Sequence, residues 1–213
     1  MPVADAPVAA GGGLWLLLGV LLPVLAVTAT AFAKITVVLG ALRGGLGLPE
    51  VLPAPVLTGL AALLAAVVML PTAQQADEAA GAFEGNAAGY ADAAARAWPV
   101  WEGFLEKETR AEDLAAVRGA TAKLDPARPA DAPPSPPERI LAFLVSELGA
   151  AFQLALAVLL PFLIIDLLAS HTLAVIGFHL LPPSVVALPF KLLLFVAVGG
   201  WSLLVRGLIG TYA

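Results

Sequence analysis

The sequence predicts an all-α fold of membrane-associated helical hairpins carrying a small polar helical insert, and three observations lead there. Of 213 residues, 60% are hydrophobic and 13% charged, against about 25% charged in soluble domains. The apolar residues gather into four stretches near the roughly 20 residues that cross a bilayer. The charges gather elsewhere. Twelve of the sixteen acids and seven of the eleven bases lie between Pro71 and Arg139. That segment carries the whole net charge of −5, and the apolar remainder balances.

Taken in order, the first apolar stretch runs from Leu14 to Ala33 and ends at Lys34. Ala31-Phe32-Ala33 has the look of a signal cleavage site, but no Lys or Arg precedes the stretch, and a signal peptide opens with positive charge. It is therefore expected to be a retained helix. The second stretch, Val51 to Pro71, follows a loop bearing Arg43 beside Lys34. Basic residues in short loops favour the cytoplasm, which puts the Arg43 loop inside and residues 72–138 outside. Within that segment, 76–97 is Ala-rich and broken by Gly81, Gly85 and Gly89. Trp98 to Lys123 reads as one helix with Trp101, Phe104, Leu105, Leu114 and Val117 on its apolar side. Pro126, Pro129, Pro133, Pro134 and Pro136 make residues 125–137 an extended linker and hinge.

The third stretch, Leu148 to Ile165, is bracketed by Glu147 and Asp166 and interrupted by Gln153 and Pro161. The fourth, Val185 to Leu204, contains Lys191, with only 14 residues between it and Arg206. These two are poor lipid spans. Gly40 and Gly44, Ala61 and Ala65, and Gly199-Gly200 supply small residues that let helices approach closely. The domain reading is a hydrophobic hairpin over 1–71, a polar insert over 72–139, and a hydrophobic core over 140–213.

Several chemistries are excluded. There are no cysteines, so disulfides and thiolate metal sites are out. His171 and His179 alone do not make a zinc site. No serine sits in a Gly-x-Ser-x-Gly elbow, and the glycine patterns that cradle phosphates are missing. No basic cluster suits nucleic acid. The chain reads as a non-enzyme without cofactor or metal.

What remains is a set of charges in apolar surroundings: Lys34, Arg43, Glu147, Asp166, Lys191 and Arg206. An ammonium at the centre of a lipid-exposed helix costs about 2.5–3.5 kcal/mol, and such groups usually pair with one another inside a bundle. Glu147 and Asp166 stand about 28 Å apart along one helix, so Lys191 reaches one of them and not both. A proton-coupled transporter relaying through Glu147, Asp166 and Lys191 is the alternative reading of these charges. It lacks the internal repeat that such proteins often show.

The run Leu188-Pro-Phe-Lys-Leu-Leu-Leu-Phe-Val-Ala-Val-Gly-Gly-Trp201 resembles the C-terminal signature of the type III secretion export-gate family, FliP in flagella and SctR or YscR in injectisomes. Ser146-Glu147-Leu148 with Ala151-Phe152-Gln153, then Pro161 to Asp166, is similar to its third-helix block. Thr30-x-Phe32-x-Lys34-Ile35, Leu42-Arg43, Gly59-Leu60-Ala61 and Met69-x-Pro71 are similar to its first two helices. Phe104-Leu105-x-Lys107-x-Thr109 with Asp113-Leu114 matches in the insert.

The resemblance implies a bacterial inner-membrane subunit with the 72–139 insert on the periplasmic side, and the want of a convincing signal peptide leans toward an SctR-type injectisome member. It implies a ring-like or helical assembly: a homopentamer joined by smaller SctS and SctT subunits, gating the passage of unfolded secreted proteins. Much of that assembly is raised out of the membrane plane. By the same resemblance, Phe178, His179 and Leu180 occupy the place of the family's methionine-rich pore gasket. Gly199 replaces its usual Asp, and Pro49-Glu50 with Pro53-Ala54-Pro55 replaces polar residues of its first loop. Glu147 and Lys191 are expected to pair, between neighbouring subunits, with Lys34, Asp166 and Arg206 as further functional charges.

Overall fold

A computed structural model of the chain describes residues 23–47, 52–82, 85–124, 128–129, 131–178 and 180–212. Residues 14–22 of the first apolar stretch, the Pro49-Glu50 loop and His179 lie outside the described residues. Those described are helical, with no strand among them.

The centre of the molecule is α1 (Phe32–Leu46). Ile35, Val38, Leu39, Leu42 and Leu46 are at most 2% exposed. Their spacing is that of one helical face, and they form the main core with α5 and α2. The helix stops at Gly47, whose φ of 71° is open to glycine at little cost. Two residues earlier, Gly45 faces α5 so closely that a Cβ would lie 2.8 Å from Leu159 and Phe162. Close packing thus occurs at Gly45. Gly40 and Gly44, the pair singled out by spacing, face open space.

The second helix, α2 (Ala54–Ala80), starts after Pro53 and runs on nine residues past Pro71. It buries Leu57, Ala61, Leu64, Ala65 and Met69, a helical stripe in which Ala61 and Ala65 do serve as contact residues. After Gly81 the chain turns into α3 (Ala87–Glu108), capped by Asn86 Oδ1 accepting from Gly89 N–H at 2.7 Å. Next comes α4 (Ala111–Thr121).

The expected single helix over 98–123 is therefore two, broken at Thr109-Arg110. The cause is tertiary. The Arg110 N–H donates to Ser146 Oγ at 3.0 Å, and that hydroxyl donates to Asp113 at 2.6 Å. Contact with α5 outweighs continuation of the helix.

The longest element is α5 (Pro136–Val175), 40 residues or about 60 Å. It passes through Pro161 unbroken and absorbs the whole third stretch. It opens with a capping box in which the Glu138 carboxylate accepts from the Ser135 N–H at 2.7 Å. The same carboxylate accepts from Thr121 and from Arg128 at 2.8 Å, and Arg118 donates to the Ala132 carbonyl. The described part of the Pro-rich run is latched onto α4 and α5, which corrects its reading as a free hinge. Nor does the insert hang loose. Leu105 of α3 packs against Phe143, both fully buried, and Arg139 pairs with Glu102 at 2.7 Å.

The fourth stretch is bent. α6 (Pro183–Ala197) and α7 (Gly200–Gly210) meet at 62°. The bend pivots on Gly199, φ 62°, where a side chain would be strained. Both α2 and α5 are long and apolar enough to cross a membrane, and α6 with α7 makes a third span only as a bent pair.

Candidate functional site

Two ion pairs, the first buried on both sides and the second on its lysine side, sit at different levels of α5 and tie the hydrophobic helices together. At the upper level, Lys34 of α1 meets Glu147 of α5 at 2.9 Å, with side chains 3% and 2% exposed. The Lys34 ammonium also lies 3.8 Å over the ring of Tyr212 and within 3.4 Å of Thr211 Oγ1. The Tyr212 hydroxyl donates to the second Glu147 oxygen. Burial, with the carboxylate beside it, pushes the Tyr212 phenol above its ordinary pKa, so it stays a donor. Tyr212 is held from outside as well: Phe104 stacks on it, and Lys107 donates to its carbonyl at 3.2 Å.

At the lower level, Lys191 of α6 is 4% exposed. It donates to Asp166 at 2.7 Å and to the Gly45 carbonyl at 2.8 Å. That carbonyl lies in the last turn of α1, where orphan backbone acceptors favour a cation. Lys191 thereby joins α1, α5 and α6 at one point.

Within the chain, the expected Glu147–Lys191 pair is replaced by these two. The reason is axial. Lys191 sits level with Asp166, 19 residues along α5 from Glu147, and Lys34 occupies the place beside Glu147. Each acid has a base from a different helix, so two charges of each sign are neutralised where a lone one would be costly.

The remaining candidates are less enclosed. Phe178 is 55% and Leu180 98% exposed, at the turn between α5 and α6, while His179 lies outside the described residues. Arg206 is exposed on α7, its Nε donating to the Ser202 carbonyl of its own helix at 3.2 Å. Among the described residues no cluster of His, Asp and Glu is placed to hold a metal.

Sequence reasoning missed Tyr212, Thr211 and the Gly45 carbonyl. A tyrosine just past an apolar helix is a weak signal for a buried hydroxyl, and a backbone carbonyl has no side-chain signature at all.

Residues 15–208 match the model of the FliP family. The chain is 36% identical over 203 residues to the hypersensitivity response secretion protein HrcR of Ralstonia nicotianae, covering 90% of this chain and 92% of the relative. It is 39% identical over 195 residues to the flagellar biosynthetic protein FliP of Pectobacterium carotovorum, covering 90% and 74%. It is 35% identical over 200 residues to the Yop proteins translocation protein R of Yersinia pestis, covering 90% and 91%.

Proposed function

The chain belongs to the FliP family, and from that premise we propose that it is a core subunit of a type III protein export gate in a bacterial inner membrane. The observation that carries this reading is the match along nearly the whole chain to proteins of secretion, flagellar assembly and protein translocation. The geometry supports it in a specific way. Two ion pairs tie α1, α5, α6 and the segment after α7 into one wedge. Large apolar faces, among them Phe152, Leu156 and Leu160 on α5 and Phe190 and Leu193 on α6, are left exposed for lipid or neighbouring chains. A wedge of this kind suits a ring subunit. The competing transporter reading is not favoured by the relatives, which are secretion, flagellar and translocation proteins.

In this reading about five copies form the ring with SctS- and SctT-type subunits, and unfolded secreted proteins pass through it. The hairpin 1–71 and the core 140–213 build the wall, with the insert 72–139 on the periplasmic side. Phe178, His179 and Leu180 line the constriction. The Glu147–Lys191 pair belongs here as a proposed contact between neighbouring chains. Export that survives Lys191→Glu would exclude it.

The test of function is the mass of the detergent-extracted particle together with secretion in a strain lacking the gene. A particle of about five chains and secretion restored by the wild-type gene is expected. A particle of one or two chains, or secretion unaffected by the deletion, would overturn the reading.

A further inference from the structure

The last helix, α7, is anchored chiefly at its two ends. It starts at Gly199, whose φ is 62° and where an added Cβ would meet nothing within 4 Å. A glycine in that setting can rotate as a pivot. Along the helix only Gly200, Leu204 and Leu208 are buried, a thin stripe. At the far end the chain is gripped by three other elements. Lys34 of α1 lies over the Tyr212 ring and reaches Thr211 Oγ1. Glu147 of α5 accepts from the Tyr212 hydroxyl. From α3, in the polar insert, Phe104 stacks on the Tyr212 ring and Lys107 donates to its carbonyl.

That grip consists of directional contacts with room beside them. A cleft of about 360 Å³ adjoins Thr211, bounded by Lys34, Arg110, Glu147 and Gln153. Another of about 430 Å³ adjoins Tyr212, bounded by Gln75, Pro99, Phe104 and Lys107. Thr211 and the Lys107 side chain are themselves exposed. A segment held by a few point contacts, with little buried apolar area, belongs to the part of a fold that opens first.

We propose that Thr211 and Tyr212 form a strap by which the polar insert holds α7 at its angle on Gly199. Displacing the insert loosens Tyr212 and lets α7 swing away from the core. Moving α7 disturbs the insert in turn, because a coupling between two sites is reciprocal. This goes beyond the export role and stands whether or not the chain forms a ring.

The chain has no cysteine, so a single introduced thiol reports on opening. Leu208→Cys places it on the buried side of α7, where Leu208 is 2% exposed, and Val38→Cys places a control in α1, where Val38 is 1% exposed. The rate of maleimide labelling is measured for each on the full chain in neutral detergent. Adding Tyr212→Phe removes a hydrogen bond to a charged group and should speed labelling at position 208 about 10–100-fold. Adding Phe104→Leu keeps apolar bulk against Phe143 and takes the stacked ring from Tyr212. It should speed labelling at 208 about 2–10-fold, although the change lies in the insert. The control at position 38 should stay slow throughout.

Circular dichroism checks that each variant is folded. If Phe104→Leu is not, Lys107→Met at its exposed side chain takes its place, and faster labelling at 208 is again required. An unchanged rate at 208 in Tyr212→Phe would overturn the proposal, since the strap would then hold nothing. A response to Tyr212→Phe with none to the insert variant would do so too, by removing the link to the insert. Acceleration at position 38 by the same factor would replace the local swing with loosening of the whole fold.

Discussion

Replacing Lys34 by methionine isolates the upper ion pair. Methionine keeps the length and apolar stem of the side chain and removes only the ammonium. Both partners are almost fully enclosed, at 3% and 2% exposure, so water cannot compensate the Glu147 carboxylate left behind. Breaking a buried pair from one side costs about 3–5 kcal/mol. The cation–π contact over Tyr212 is lost in the same change and is included in that figure. In a chain of this length each kcal/mol moves the unfolding midpoint about 2–4 °C, so the midpoint should fall by roughly 6–20 °C. The assay is thermal unfolding of the purified full chain in detergent, followed by helix circular dichroism. The double variant Lys34→Met with Glu147→Gln should recover most of the loss. Its amide can still accept from Tyr212, and no charge stays buried. A midpoint shift under about 3 °C for Lys34→Met refutes the argument. So does a double variant as unstable as the sum of its singles, since coupled groups must be non-additive.

Other outcomes follow from the same geometry. At the lower pair the two single changes should be unequal, because the Asp166 side chain is 37% exposed and Lys191 only 6%. Asp166→Asn strands a buried ammonium at about 3 kcal/mol, while Lys191→Met leaves a carboxylate that water can reach, at about 1 kcal/mol. Equal losses in the same unfolding assay would show the pair to be equally enclosed on both sides. Gly199→Val should cost about 1–2 kcal/mol for its left-handed backbone. It should also alter the near-ultraviolet circular dichroism of Trp201, which meets Phe195 edge-on at 5.4 Å across the bend; an unchanged spectrum would mean the bend does not depend on glycine. Glu138→Gln weakens the latch of Arg128, Thr121 and Ser135. A loss of 1–2 kcal/mol there should speed tryptic cleavage at Arg128 about 5–30-fold, and cleavage at the wild-type rate would contradict the latch.

Much of the candidate site was legible because buried charge is rare and conspicuous in an apolar sequence. Glu147, Asp166, Lys191 and Lys34 all stood out for that reason, and the Pro-Phe-Lys and Ser-Glu blocks pointed to the family that residues 15–208 match. Partner choice was not legible. Two acids and two bases permit more than one pairing, and axial level on α5 decides between them. The break at Thr109-Arg110 escaped for a related reason: its cause, Ser146, lies 36 residues away in sequence. The Pro-rich run reads as a linker by composition, yet the Glu138 carboxylate collects donors from α4, Arg128 and Ser135.

The sequence by itself determined that this is a helical membrane protein with a polar insert and costly charges in apolar helices. Periodicity and burial cost are properties of the local chain and need no partner to be read. Only the tertiary structure decided which base meets which acid, which glycine is the contact point and where the fourth stretch bends. Those depend on distances between segments far apart in the chain. A small change in helix level or rotation can exchange one buried neighbour for another while the sequence stays the same.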